Sequence, residues 1–372
     1  MKLWPVVTAI IGLVVGVVIG GKLIGGGGAP SVTETAGEGG ASSSGGPAPA
    51  APVRWKMASA FGSQWPIQGE LGLRLVERLD VISEGNIKIQ FFEPGALVPA
   101  LEIFDAVSSG AIDAGWTTAG YWAGKVPALQ FYTAVPFGPD AMEYAAWLYY
   151  AGGDELYNRI YEPFNIKALH CGVHSPEGSG WFREPIESID DLKGLKMRFF
   201  GLGAKVMEKV GVSTQLLAGG DIFPALELGT IDATEYSMPI IDLNQGFYQV
   251  AKHYYFPGWH QPSSIFELQI NRDRWDELSV AQQAMIEVVC GDNYRAGLGM
   301  SEAAQADALV TLREKGVEFH KWPPEILAVF REKWNEVVAE EAAKDEMFNT
   351  VWQSFTAFRE KYAIWAELGY VR

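Results

Sequence analysis

The sequence predicts an α/β protein built as two lobes with a helical C-terminal region. Three observations predict it. The order β-α-β-α-β can be read twice, a segment of the first set is echoed in the second, and helical spacing dominates the last quarter of the chain. Alternation of this kind makes open α/β sheets.

In the first set, residues 54–60, 87–92 and 112–117 read as strands. Residues 68–83 carry Leu71, Leu75, Val76, Leu79 and Ile82 at helical spacing. Residues 102–109 form a short helix that Gly110 stops. In the second set, 168–174, 195–200, 213–217 and 231–236 read as strands, with helices at 203–210, closed by Gly211, and at 223–228. One more strand, 264–270, precedes helices at 280–290, 301–314 and 325–343.

The echo runs from Phe104 to Ala114 and from Phe223 to Ala233. Phe, Ala followed by an aliphatic residue, Gly, and Ile-Asp-Ala recur at one offset. Helix-Gly-strand turns resemble one another in many proteins, but the shared positions favour a structural repeat. Two similar lobes facing each other make a cleft, and clefts between lobes hold ligands.

The N-terminus reads as an address. Lys2, an apolar run from Trp4 to Gly21, and Lys22 make residues 1–25 a signal peptide or membrane anchor. The run approaches the ~20 residues that span a bilayer, and no cleavage motif follows it directly, so an uncleaved anchor is favoured. Residues 26–52, almost all Gly, Ala, Ser and Pro, form a flexible linker. Either way the body is exported. The composition of the whole chain, 48% hydrophobic and 20% charged, is globular, and its net charge of −16, −18 without Lys2 and Lys22, makes the body repel nucleic acid and anionic lipid. Cys171 and Cys290 allow one disulfide, but neither sits in a CxxC-like pair, and the reading leans towards two free thiols. His170 and His174, four apart on a strand, stand ~13 Å from one another and do not chelate. No Gly-x-Ser-x-Gly elbow occurs.

Asp191-Leu192-Lys193-Gly194-Leu195-Lys196-Met197-Arg198, then Val210-Gly211, then the run from Phe223 to Glu235 resemble the signature of TRAP transporter solute-binding proteins. The resemblance covers essentially all of residues 55–372. It implies a type II periplasmic-binding-protein fold. Lobe I is 53–174 with a return at 264–314, and lobe II is 175–263. Hinge strands join them, and C-terminal helices occupy 315–372. It also implies a periplasmic receptor, not an enzyme, that closes on its ligand and delivers it to a TRAP membrane permease. Gly180-Trp181-Phe182-Arg183, Glu235-Tyr236 and the run from Phe256 to Pro262 are most similar to members that bind 2-oxo or 2-hydroxy carboxylates with a metal cation. Glu177 stands where those members have Gln, Gln261 where an acidic residue is frequent, and Tyr236 where Trp is common.

The candidate site follows from strand ends. Arg198 closes strand 195–200 before the Gly201-Leu202-Gly203 turn, where open sheets bind ligands. A guanidinium there can hold a carboxylate with two parallel hydrogen bonds. A surface arginine is the commoner fate, but the resemblance implies that Arg198 is the carboxylate clamp. Glu235 ends strand 231–236, in the same lobe, and an acid beside that arginine repels an anion unless a cation intervenes. Glu177, Glu235, a backbone oxygen at Tyr236 and the amide of Gln261 make a hard-oxygen set for Ca2+ or Na+, with Ca2+ favoured by the two carboxylates. Alternatively both glutamates pair with Arg198 or other bases. Phe61, Trp65 and Tyr121 follow strands of the facing lobe and form the other wall, although core packing is the usual role of such rings.

Two rivals share these residues: a metal-assisted carboxylate enzyme and a sensor subunit for a membrane kinase. The first needs an acid or base near the reacting atom, and no histidine falls clearly into the expected site. After Pro324 the chain carries Phe330, Trp334, Val337, Val338, Phe348, Val351, Trp352, Phe355 and Phe358. That is more apolar surface than one terminal helix needs. The resemblance implies a homodimer through exchange of a long C-terminal helix. The alternative is a monomer whose tail wraps its own body.

Overall fold

Residues 50–370 are described in the structure, a computed structural model of the chain. The expected signal or anchor at 1–25 lies outside the described residues, as does most of the 26–52 linker. Among the described residues no helix is long and apolar enough to cross a membrane.

In chain order the elements begin with β1 (Val53–Ser59), α1 (Gln68–Ile82), β2 (Ile87–Phe92), α2 (Ile103–Ser108) and β3 (Ala114–Thr117). Next come α3 (Ala141–Tyr150), α4 (Gly153–Tyr161), β4 (Ile166–His174) and β5 (Gly180–Phe182). They are followed by β6 (Lys196–Arg198), α5 (Leu202–Lys209), β7 (Ser213–Gln215), α6 (Gly219–Glu227), β8 (Ala233–Thr234) and α7 (Pro239–Gln245). The chain continues with β9 (His253–Phe256), β10 (Ser264–Asn271), α8 (Arg272–Asp276) and α9 (Val280–Glu314). It ends with β11 (Glu318–Lys321), α10 (Pro324–Lys344) and α11 (Glu346–Gly369).

Two sheets form, in the orders β2-β1-β3-β10-β4 and β11-β9-β5-β8-β6-β7. In the first, β1 lies parallel between β2 and β3. In the second, β6 lies parallel between β7 and β8. The sequence echo is therefore a structural repeat, and its local chemistry repeats too. Asp113 Oδ2 accepts the Lys56 amide at 2.9 Å, and Asp232 Oδ2 accepts the Lys196 amide at 2.9 Å. Gly110 and Gly229 both take left-handed backbone, φ +76° and +71°, the conformation that ends a helix without a Cβ penalty.

Helical spacing in α1 places Leu71, Leu75 and Leu79 in the core, while Ile82 is exposed. The two helices expected at 280–290 and 301–314 are one 35-residue helix, α9. Gly297 does not break it. A Cβ at this position would lie 2.4 Å from the Val173 carbonyl, so the glycine lets α9 press against β4. In the same interface Cys171 and Cys290, both buried, form a disulfide. This corrects the expectation of free thiols: motif spacing says nothing about cysteines that packing brings together from 119 residues apart. A cross-link over so long a loop contributes about 2–4 kcal/mol.

Chain segments pass between the sheets at 175–179 and 257–263, and α9 links β10 to β11. The C-terminal stretch is not purely helical, because β11 pairs with β9. Helix α10 meets α5 through Lys209–Glu340 at 2.7 Å. Helix α11 packs Phe348 on Phe131 and Phe355 on Trp147, with centroids 4.5 and 5.1 Å apart. The nine apolar residues singled out after Pro324 are thus buried or half-buried within this chain.

Candidate functional site

The strand ends and the two crossing segments converge. Arg198 ends β6 and Glu235-Tyr236 follow β8. Glu177 lies in the first crossing segment, His260 and Gln261 in the second. The two crossing segments are joined by Glu177 N–H to Gln261 O at 3.4 Å, and Gly178 N–H donates to Ser237 O, in the turn after β8, at 3.2 Å. Gly258 permits the approach, since a Cβ there would sit 2.3 Å from Glu177 O.

Between them is a small, nearly closed cavity of about 20 Å³. Phe61, Tyr121, Glu177, Arg198, Tyr236 and Gln261 line it, six of the residues the sequence singles out. Trp65 does not line it and instead packs edge-on against Tyr236, with centroids 6.4 Å apart. Glu235 is fully buried beside Arg198. Tyr236 Oη donates to Gln68 Oε1 at 2.9 Å and ties the two sides of the cleft.

Arg198 is 1% exposed. Its Nη1 donates to Glu235 Oε1 and to Glu235 O, both at 2.8 Å, and Nε donates to Leu217 O at 3.3 Å. Its Nη2 makes no hydrogen bond among the described residues. The guanidinium lies 5.3 Å from the Tyr236 ring centre and 5.8 Å from that of Phe200, so aromatic faces hold its plane. The Tyr121 hydroxyl is pushed up to about 12, raised by burial and pulled back by Arg198. It stays a neutral donor at the cavity wall.

At the site Glu177 Oε2, Glu235 Oε2 and Gln261 Oε1 are buried and accept no hydrogen bond among the described residues, although the first two face His260 Nε2. Their other atoms are engaged. Gln261 Nε2 donates to Glu177 Oε1 at 2.8 Å, and Glu235 Oε1 accepts from Arg198 and from the Phe200 amide. Orphaned buried oxygens cost about 1–3 kcal/mol each. Converging from three segments, they suit a hard cation.

Sequence reasoning missed two histidines here, which corrects the expectation that none enters the site. His174 lines the cavity, with Nε2 3.1 Å from Glu177 Oε1. His260 Nε2 lies 3.5 Å from Glu177 Oε2 and 3.4 Å from Glu235 Oε2. Burial draws the His260 pKa down, but the two glutamates outweigh it and raise it to about 9. Burial works against ionised Glu177, yet His174 and His260 hold its pKa lowered. Of the two, only His260 had a visible signal, its place beside Trp259 in a quoted motif. Below the site, burial pushes Asp242 up to about 8, against hydrogen bonds from Trp181 and Tyr254. Its Oδ1 accepts the Ser237 amide at 3.1 Å and braces the turn after Tyr236.

A family described as bacterial extracellular solute-binding protein, family 7, matches residues 57–345. The chain is 35% identical over 316 residues to a monocarboxylate 2-oxoacid-binding periplasmic protein of Nostoc sp., covering 84% of this chain and 86% of that protein. A TRAP transporter solute-binding protein from Bordetella bronchiseptica is similar in structure, with TM-score 0.83, 33% identity and coverage of 86% and 95%. It is a mixed-occupancy dimer with copurified calcium and picolinate. A TRAP periplasmic solute-binding protein from Pseudoalteromonas atlantica, with bound sodium and pyruvate, has TM-score 0.80, 31% identity and coverage of 86% and 97%.

Proposed function

The chain belongs to family 7 of the bacterial extracellular solute-binding proteins, and from that premise we propose that it captures a small 2-oxo monocarboxylate with a Ca2+ or Na+ ion for a TRAP membrane permease. The observation that carries this reading is one buried arginine beside three buried oxygens that accept no hydrogen bond, around one small cavity. The free Nη2 of Arg198 and the Tyr121 hydroxyl supply donors for a carboxylate. Glu177, Glu235 and Gln261 would hold the cation, which supplies positive charge and open coordination positions for the ligand's oxygens. The relatives' ligands, 2-oxo acids, pyruvate and picolinate, all present a carboxylate next to a second donor atom.

As a receptor, the protein releases its ligand unchanged. The test is mass spectrometry of small molecules freed by denaturing the purified protein, followed by calorimetry with the acid found. A 2-oxo monocarboxylate binding one-to-one in calcium buffer supports the reading. A neutral sugar or an amine as the sole tight ligand would overturn it.

We further propose a homodimer through α11. Near its end Ile364, Trp365 and Leu368 are 64%, 59% and 80% exposed, a grouping that isolated surface residues do not explain. Light scattering at micromolar concentration is expected to give twice the chain mass, and Trp365→Glu to shift it towards monomer. Monomer mass for the unmodified protein removes the dimer.

A further inference from the structure

A second cluster of metal-binding side chains lies outside the cleft. Strands β9 and β11 run parallel at the edge of the second sheet, with His253 opposite Glu318 and Tyr255 opposite His320. Side chains of a strand alternate, so residues two apart share a face. The register therefore gathers His253, Glu318 and His320 on one face. His253 Nδ1 lies 3.0 Å from His320 Nε2 and 3.8 Å from Glu318 Oε2, and the three ligand atoms fall within 4.8 Å of one another.

We infer that His253, Glu318 and His320 form a second metal site, for a divalent transition ion of the Zn2+ class. Two imidazole nitrogens and one carboxylate are a donor set that zinc takes and calcium does not favour. Nitrogens bound at ~2.0–2.1 Å in a tetrahedron stand about 3.3 Å apart, close to the spacing already present. The ligands are pre-positioned. Tyr255 stacks on the His320 ring at 4.7 Å. His253 is largely covered, at 14% exposed, while Glu318, at 67%, can swing onto an arriving ion. A metal here would staple β11, the strand that follows α9, onto β9. The cluster shares no residue with the cleft and would act whatever the cleft binds.

The test uses the untagged full-length chain, stripped with chelator, and calorimetric titration with Zn2+ at neutral pH. The cleft cluster can also take zinc, so a Glu177→Gln/Glu235→Gln double variant isolates the second site. That variant is expected to bind one equivalent of Zn2+ and to melt at higher temperature with it. Adding Glu318→Gln, an exposed position whose change leaves the strand intact, should weaken this binding by at least the ~10–100-fold seen for lesser perturbations of metal sites. Adding His320→Ala should abolish both the binding and the shift in melting. The site is overturned if the double variant takes up no zinc. It is equally overturned if both added changes leave zinc affinity as it was; His253 and His320 then share only a hydrogen bond.

Discussion

With sodium and calcium both removed, the protein is expected to lose pyruvate binding by about three orders of magnitude, and added Ca2+ is expected to restore it. The expectation comes from counting charge in a dry space. Glu177 and Glu235 face Arg198 and a His260 that keeps its proton at neutral pH. These four balance, so an incoming carboxylate adds one uncompensated negative charge. A ligand carboxylate brought to within ~4 Å of either glutamate with no cation between them forms a like-charge pair that costs about 4 kcal/mol at an effective dielectric of ~20. That is roughly a thousandfold in affinity. A cation held by Glu177 Oε2, Glu235 Oε2 and Gln261 Oε1 offsets the added charge and coordinates three buried oxygens that accept no hydrogen bond. Glu235→Gln should weaken Ca2+ binding strongly. Glu177→Gln should be milder and shift preference towards Na+, because the carboxylate-binding members that the sequence resembles carry Gln at this position. The measurement is calorimetric titration with pyruvate after exhaustive chelation, in three buffers: no added cation, Na+ alone, and Ca2+ alone. Equal affinity in all three would sink the cation site and return both glutamates to ordinary ion pairing.

The repeat and the strand-end residues could be read from the chain because their signals are local. Leu71, Leu75 and Leu79 share a helix face by spacing alone, and Gly110 and Gly229 mark the same turn twice. Arg198 ends a strand and Glu235 directly follows one, each within a few residues of a glycine or a repeat boundary. Other features depend on contacts no window contains. Strands β5 and β8 are three and two residues long, too short for any periodicity to appear. Helix α3 is apolar on nearly every side, so it shows little helical stripe. His260 reaches Glu177 only because two crossing segments run side by side, held by Gly258 against the Glu177 carbonyl. The Cys171–Cys290 disulfide joins a strand to a helix that the sequence shows as two separate pieces. Trp65 illustrates the opposite error. It follows a strand as expected, yet its ring supports Tyr236 from outside the cavity.

Replacing Arg198 should separate its two duties. Arg198→Lys keeps a positive charge but loses the planar fork, and a lysine cannot reach Glu235 O, Glu235 Oε1 and Leu217 O while presenting a second nitrogen to the ligand. Affinity for the carboxylate is expected to fall by ~10-fold or more, with a small change in melting temperature. Arg198→Ala goes further, because it strips the charge partner from a Glu235 that is fully buried. Breaking one side of a buried pair costs about 3–5 kcal/mol of stability, and ligand binding should vanish with it. A loss of stability alone would suit a purely structural arginine, so the lysine variant decides. If it binds pyruvate as tightly as the unmodified protein while the alanine variant merely melts earlier, Arg198 holds Glu235 and nothing else. If the lysine variant folds normally and binds weakly in calcium buffer, the guanidinium fork itself grips the ligand.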